Sequence, residues 1–213
     1  MVQARSKPMQ QRAVETRQLI LEAAAEVFDE GGYKAARISE IMHRAGITQG
    51  ALYFHFSSKL DLARTVMLAQ RDSVVLPPGP DGLQRLIDTT LLLAHELQTN
   101  KLLRAGVRLA VEQEEVGFHD DSPYREWAEV FRGQLAAAAE RGQLRSGVDV
   151  ERLAMLLVGC YTGVQHFSKL SCKRADLPDR IADLWQYMLL GIAPPQVAAD
   201  MIVSTEAPLL AAG

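Results

Sequence analysis

The chain has 213 residues, 48% of them hydrophobic and 23% charged, with a formal net charge of −3. That length suits one ordinary domain, or a small domain joined to a larger one. No apolar run is long enough to span a bilayer, and the opening MVQARSKPMQQR lacks the apolar segment of a secretory leader, so the sequence predicts a cytoplasmic protein with no membrane partner.

In chain order, residues 1–9 read as a flexible arm, with Pro8 and no periodicity. A helix is expected from about Gln10 to Glu30, with Leu19, Ile20, Ala23, Val27 and Phe28 along one face and Gly31-Gly32 stopping it. Residues 38–59, ISEIMHRAGITQGALYFHFSSK, carry the most information. Ile38, Ile41, Met42 and Ala45 repeat at the spacing of one helix face. Gly46 can take the left-handed conformation that ends such a helix, and Ile47 is expected to enter the core. Thr48 is a good N-cap for a second helix. Ala51, Leu52 and Phe54 are expected to face inward, with Phe56 closing the exit. Thr48, Gln49, Gly50, Tyr53 and His55 are left to project outward, a polar and aromatic set with no carboxylate. This is the spacing of a helix-turn-helix, whose second helix enters the DNA major groove. The same spacing also occurs in plain helix-loop-helix segments of bundles.

Ser57-Ser58-Lys59 then caps a further helix, whose first N–H groups could hold a phosphate. That helix is expected to reach about Val75, with Leu62, Val66, Met67 and Gln70 along it. LPPGPDG, residues 76–82, breaks it. Two helices follow, 83–98 and 101–112, separated by Thr99-Asn100. QEEVGFHDD reads as an acidic loop, and Ser122-Pro123 as a helix start, with Ser122 as cap, running to about Arg141. Asp149 can cap the helix beyond it. The last long helix is expected over 178–192, between Pro178 and Pro194-Pro195. The tail, 196–213, has room for one helical turn and is otherwise expected to be loose. No strand pattern, repeat or low-complexity run emerges, so the expected fold class is all-α.

Charge is unevenly spread. Residues 1–60 hold eight lysines and arginines against six acids, and the remaining 153 hold fifteen against twenty. Positive charge gathers at the N-terminus and at Arg37, Arg44 and Lys59 around the motif, as phosphate contacts require. Cys160 and Cys172 have no CxxC spacing and no histidine cluster, so reduced thiols are expected, without metal or cofactor. His95 with Glu96, His119 with Asp120 and Asp121, and His166 show no nucleophile–base spacing or phosphate loop, which argues against an enzyme. Residues 153–167 are apolar almost all round. They suit either a central core helix or, with Ile181, Leu184, Trp185, Met188 and Leu189, a homodimer interface of four-helix-bundle type.

GITQGALYFHFSSK closely resembles the DNA-binding motif of TetR-family repressors, and TRQLILEAAAEVFDEGGY at 16–33 resembles that family's first helix. The resemblance implies an N-terminal DNA-binding domain over 1–56 and a helical ligand-binding and dimerisation domain over 57–213. It implies double-stranded operator DNA as partner, contacted by Arg37, Thr48, Gln49, Gly50, Tyr53, His55 and Lys59. More narrowly, GALYFHF, the LRAGVRLA segment at 103–110 and Pro123 with Trp127 resemble the gamma-butyrolactone receptors of actinomycetes. That likeness implies release from DNA by a small signalling ligand, with Gln70, Trp127, Phe131, Thr162 and Gln165 as its contacts. A TetR-type repressor of an efflux or resistance gene is the alternative. The sequence departs from the receptor group at Gln49, where lysine is usual, and at Ala36-Arg37 in place of Thr-Thr. Glutamine favours adenine edges whereas lysine favours guanine or phosphate, so the departure at residue 49 bears on operator choice.

Overall fold

The computed structural model describes residues 6–76, 78–117 and 119–206. Every regular element among them is a helix. Residues 1–5 of the expected arm and 207–213 of the expected loose tail lie outside the described residues, as does Pro77 of the 76–82 break. The chain packs as two units, described in turn: residues 1–73 with 100–120, and residues 74–99 with 121–213.

The first unit holds six helices, α1 (Ser6–Ala35), α2 (Ile38–Ala45), α3 (Gln49–His55), α4 (Lys59–Ala69), α6 (Lys101–Val111) and the single turn α7 (Gln113–Val116). Helix α1 begins earlier than expected and does not stop at Gly31-Gly32. Gly32 takes φ 69°, kinks the path, and the chain coils on to Ala35. Only glycine suits that point: a Cβ there would lie 2.6 Å from Glu112 Oε2 and 2.8 Å from Arg108 Nη2. Ile20, Ala24 and Phe28 of α1 are fully buried, with Ile41, Leu52, Leu62, Val66 and Met67 from the next three helices.

Helix α4 is shorter than expected. It ends at Ala69, and Gln70 caps it; the Ser73 hydroxyl donates to the Gln70 carbonyl at 2.7 Å, closing the turn well before the prolines. Asn100 starts α6 by accepting the Leu103 N–H at 3.0 Å, and its amide donates to the Ser73 carbonyl at 2.9 Å. Helix α6 packs on both α1 and α4. It crosses α4 closely at Gly106, where a Cβ would meet the Gln70 Cβ at 2.6 Å and the Val66 carbonyl oxygen at 3.1 Å. Polar ties bind α6 to α1: Arg104 donates to the Asp29 carboxylate at 2.8 and 2.6 Å, Arg108 to the Asp29 carbonyl at 2.7 Å, and Lys101 to Glu26 at 2.7 Å. The acidic segment after α6, expected as loop, contains α7.

The second unit holds α5 (Leu83–Thr99), α8 (Ser122–Glu140), α9 (Val150–Cys172), α10 (Leu177–Ile192) and α11 (Pro195–Asp200). Ser122 is already helical rather than the cap of α8, with Pro123 in the first turn as expected. Asp149 does cap α9, accepting the Arg152 N–H at 3.1 Å. Helix α5 packs against α8 and α10, and α9 against α8 and α10. Buried polar atoms are paired within this core: the Trp185 indole donates to the Thr90 hydroxyl at 2.6 Å, and the Tyr161 hydroxyl to the Thr90 carbonyl at 3.2 Å. Burial raises the Tyr161 pKa, so the phenol stays a donor. Helix α9 is not buried all round within one chain. Met155, Leu156, Phe167 and Leu170 are exposed, as are Tyr187 and Leu190 on α10.

The crossing at Gly106 gives the first prediction. Gly106→Ala gains helix propensity of about 1 kcal/mol but overpacks against backbone, a penalty of about 1–3 kcal/mol. Gly133 on α8 has only open space within 4 Å of where a methyl group would sit, so the same swap there keeps the gain. Urea unfolding should therefore show Gly106→Ala less stable than the parent chain and Gly133→Ala more stable. Equal stability of the two variants would remove the close crossing.

Candidate nucleic-acid interface and ligand site

The helix-turn-helix is built by its capping. Gly46 takes φ 65° and ψ 34°, and its N–H and that of Ile47 close on the His43 and Met42 carbonyls at 3.3 and 3.1 Å. Thr48 then caps α3, its hydroxyl accepting the Ala51 N–H at 3.3 Å. Leu52 and Phe56 anchor α3 from below, exposed by 0% and 2%. Thr48, Gln49 and Gly50 are exposed and His55 is half-buried. Tyr53 is 46% exposed.

Phe54 corrects the expectation of an inward aromatic: it is 79% exposed. The reason is angular. Two residues on from Leu52 is about 200° around a helix, the side away from the core. Its ring stands edge-on to the His55 ring, with centroids 5.0 Å apart. Sequence reasoning missed Phe54 as part of the outward face, although counting 100° per residue from Leu52 would have found it. Gly50 has open space where a Cβ would sit, so nothing inside the protein accounts for the missing side chain.

The surrounding charges sort themselves. Arg37 is exposed and makes no ion pair among the described residues. Arg44, expected to add to the positive field, is held by acids instead: Glu30 at 2.8 and 2.7 Å, Glu40 at 2.8 Å and Glu26 at 3.6 Å. The hydrogen bonds that Arg44 donates to Glu30 and Glu40 raise its pKa, and Arg44 in turn lowers that of Glu30. The Lys59 ammonium lies 4.4 Å from the Tyr33 ring centroid, where partial burial lowers its pKa. The start of α4, expected as a phosphate seat, already holds a carboxylate. Asp61 accepts the Ser57 N–H at 2.8 Å and its hydroxyl at 3.0 Å, while Ser58 accepts the Asp61 N–H at 3.0 Å. An anion arriving there would meet Asp61 first, which disfavours that seat.

The five ligand candidates divide between the units. Gln70 belongs to the first; it is 2% exposed, and its amide donates to the Met67 carbonyl at 2.9 Å. The other four lie on α8 and α9 of the second unit. Trp127 and Phe131 are one turn apart, both buried, with ring centroids 6.2 Å apart. Thr162 is half-buried. Gln165 is 2% exposed, and its amide oxygen accepts from the buried Arg174 guanidinium at 3.0 Å. Cys160 and Cys172 are free and half-buried.

Comparison with known proteins fits both halves. Residues 20–66 match the bacterial regulatory proteins of the tetR family, and residues 81–194 match the tetracyclin repressor-like C-terminal domain. The chain belongs to the TetR family. This TetR-family protein is thus a DNA-binding transcriptional repressor by type, and not an enzyme. The A-factor receptor protein of Streptomyces griseus is 39% identical over 90% of this chain and 69% of its own length. The crystal structure of TylP, a TetR regulator from Streptomyces fradiae, is 41% identical with a TM-score of 0.82, covering 92% of this chain and 94% of that one. CprB from Streptomyces coelicolor, solved in complex with its operator sequence, is 34% identical with a TM-score of 0.71, covering 88% and 93%. No helix among the described residues is long and apolar enough to cross a membrane.

The charge sorting gives the second prediction. Each phosphate neutralised contributes about 0.9 to the slope of log affinity against log salt. Arg37→Gln should lower the slope for operator DNA by about that amount. Arg44→Gln should leave the slope unchanged, because its charge is already committed to Glu30 and Glu40. Titrations across a salt series, with circular dichroism to verify folding, check both; a reduced slope for Arg44→Gln would place Arg44 at the DNA.

Proposed function

We propose that this chain is a homodimeric cytoplasmic repressor that reads operator DNA with α3 and is released by a small apolar signal of the gamma-butyrolactone type, controlling antibiotic production or its regulators. The observation that carries DNA reading is the outward face of α3. Thr48, Gln49, Gly50, Tyr53 and Phe54 are exposed together, without a carboxylate among them. Gln49 is positioned to read a base edge, preferring adenine, and the Tyr53 hydroxyl to hold a phosphate. An exposed Phe54 suits the apolar methyl of thymine. Gly50 lets the backbone approach the groove wall. Arg37 and Lys59 add charge at the flanks, and His55 completes the set. DNA recognition is assigned to residues 1–56, and ligand binding with dimerisation to 57–213.

The likeness to the A-factor receptor supports the ligand class. Within the second unit, the buried Trp127–Phe131 pair on α8 offers flat apolar surface, and Thr162 on the neighbouring α9 offers a hydroxyl. An apolar site with few polar groups is what a small lactone requires. Gln165, engaged with Arg174, would act by holding that cation in place. A ligand need only bind the released state better; about 5.5 kcal/mol of difference moves a population from 1:99 to 99:1. The chain offers a short route for that preference. Helix α5 of the second unit is joined to α6 of the first by Asn100 alone.

Dimerisation is supported by the uncovered apolar residues Met155, Leu156 and Phe167 on α9 and Tyr187 on α10. Several large apolar residues left exposed on two packed helices suit an association face. Leu156→Arg should give a folded monomer by sedimentation, and operator affinity should collapse because one half-site is read at a time. A dimer that survives Leu156→Arg would move the interface elsewhere.

Gel shifts on the chain's own upstream DNA, with and without a synthetic gamma-butyrolactone or a panel of antibiotics, test the reading as a whole. Release by antibiotics alone would favour the efflux-type alternative. Trp127→Ala sharpens the test. Loss of its apolar contact removes about 2–3 kcal/mol of ligand binding, so induction should need roughly a hundredfold more ligand while operator affinity holds. If Trp127 is core alone, the cavity costs about 3–5 kcal/mol instead; the melting temperature and DNA binding then fall together with a normal ligand response.

A further inference from the structure

A cavity lined by none of the proposed signal contacts lies at the end of α10 in the second unit. Its volume is about 510 Å³, within the range of small-molecule sites. One wall is α10 with Gln186, Leu189 and Leu190, and Ala193 just past its end; the other is formed by α11 and the strap that follows it. In the strap the chain runs extended, so Met201 and Val203 line the cavity while Ile202 between them is 69% exposed. The strap is clasped from outside by Gln84 on α5, whose amide donates to the Ile202 carbonyl at 2.8 Å and accepts its N–H at 2.9 Å. Farther on, the His95 ring meets the Thr205 carbonyl at 3.0 Å.

Among the described residues that line this cavity, Arg145 is the only charged one. It comes from the loop between α8 and α9 and is locked to the end of α10: its N–H donates to the Ile192 carbonyl at 2.8 Å and its Nε to the Ala193 carbonyl at 2.8 Å. That fixes the guanidinium at the exposed rim and leaves both Nη groups without a protein partner among the described residues. A planar, always-charged fork over an apolar cleft has the chemistry to take a carboxylate with its hydrocarbon tail inside. The Gln186 amide lines the same cleft and can donate beside it.

We propose that the cleft between α10 and the C-terminal strap is a binding site for a small amphipathic carboxylate, with Arg145 holding the head group and Leu189, Ala198, Met201 and Val203 the tail. It is separate from the proposed signal site and does not depend on it.

Sodium decanoate and neutral decanol are the probes, titrated calorimetrically into the full-length protein. Decanoate should bind once per chain and at least tenfold more tightly than decanol, the ratio a charge-assisted pair supplies. Arg145→Gln should weaken decanoate about tenfold and leave decanol unchanged, and Arg145→Lys should recover part of the loss. Ala198→Phe, which fills the cleft, should abolish binding of both. Melting curves show whether each variant is folded; if Arg145→Gln is not, the comparison of decanoate with decanol on the parent chain and the effect of Ala198→Phe still decide. Absence of decanoate binding at millimolar concentration, equal affinity for the two probes, or binding indifferent to both Arg145→Gln and Ala198→Phe overturns the proposal.

Discussion

Asp29 on α1 is the joint on which the first unit depends. Its carboxylate takes Arg104, and its carbonyl takes Arg108, both from α6, with the carboxylate and Arg104 each about four-fifths buried. A doubly bonded ion pair so placed fixes direction better than an exposed one, because a tilt of either helix breaks two bonds at once. It also explains Gly32. The Arg108 side chain, drawn to the Asp29 carbonyl, lies where a side chain at residue 32 would be. The kink in α1, the register of α6 and the close crossing at Gly106 are one set of constraints. Their outcome is that α6, separated from α5 by a single residue, packs on α1 and α4 in the first unit.

Internal pairing of polar groups separates what α3 can do from what its neighbours can do. Arg44 and the first turn of α4 look like anion-binding features in isolation, and both are satisfied internally, by Glu30 and Glu40 and by Asp61. An internally paired charge is not available to a phosphate without breaking the pair. What remains open is Arg37 and the face of α3. A protein with net negative charge can read DNA on such terms because the attraction is local and screened beyond about 10 Å.

Much of this is legible in the sequence because it is local. Thr48, Asn100 and Asp149 cap helices within three residues of themselves, and Gly46 ends α2 by its own φ, so spacing alone locates these ends. The departures share a different cause. Val75 looks like the end of α4 because apolar residues continue to it, but the Ser73 hydroxyl and Asn100 amide, one of them from a distant segment, turn the chain earlier. Arg44 reads as free because Glu30 lies fourteen positions away, beyond any helix spacing. Phe54 reads as core because aromatic residues usually are, although its angle to Leu52 forbids it. The attachment of 100–120 to the first unit rests on Asp29 with Arg104, seventy-five residues apart, and no pattern in a single sequence announces such a pair.

The arrangement bears on how a signal could be carried without chemistry. In the second unit's core, Trp185 and Tyr161 both close on Thr90 of α5, so α9 and α10 are tied to that helix through one residue. Helix α8, which carries Trp127, packs on both α5 and α9, the helices that this pairing joins. Along the chain α6 follows α5 directly, since Asn100 caps α6 immediately after Thr99. Within the first unit, α6 is held to α1 by the Asp29 pair with Arg104. A ligand shifts an equilibrium between two arrangements only by the difference in its affinity for them.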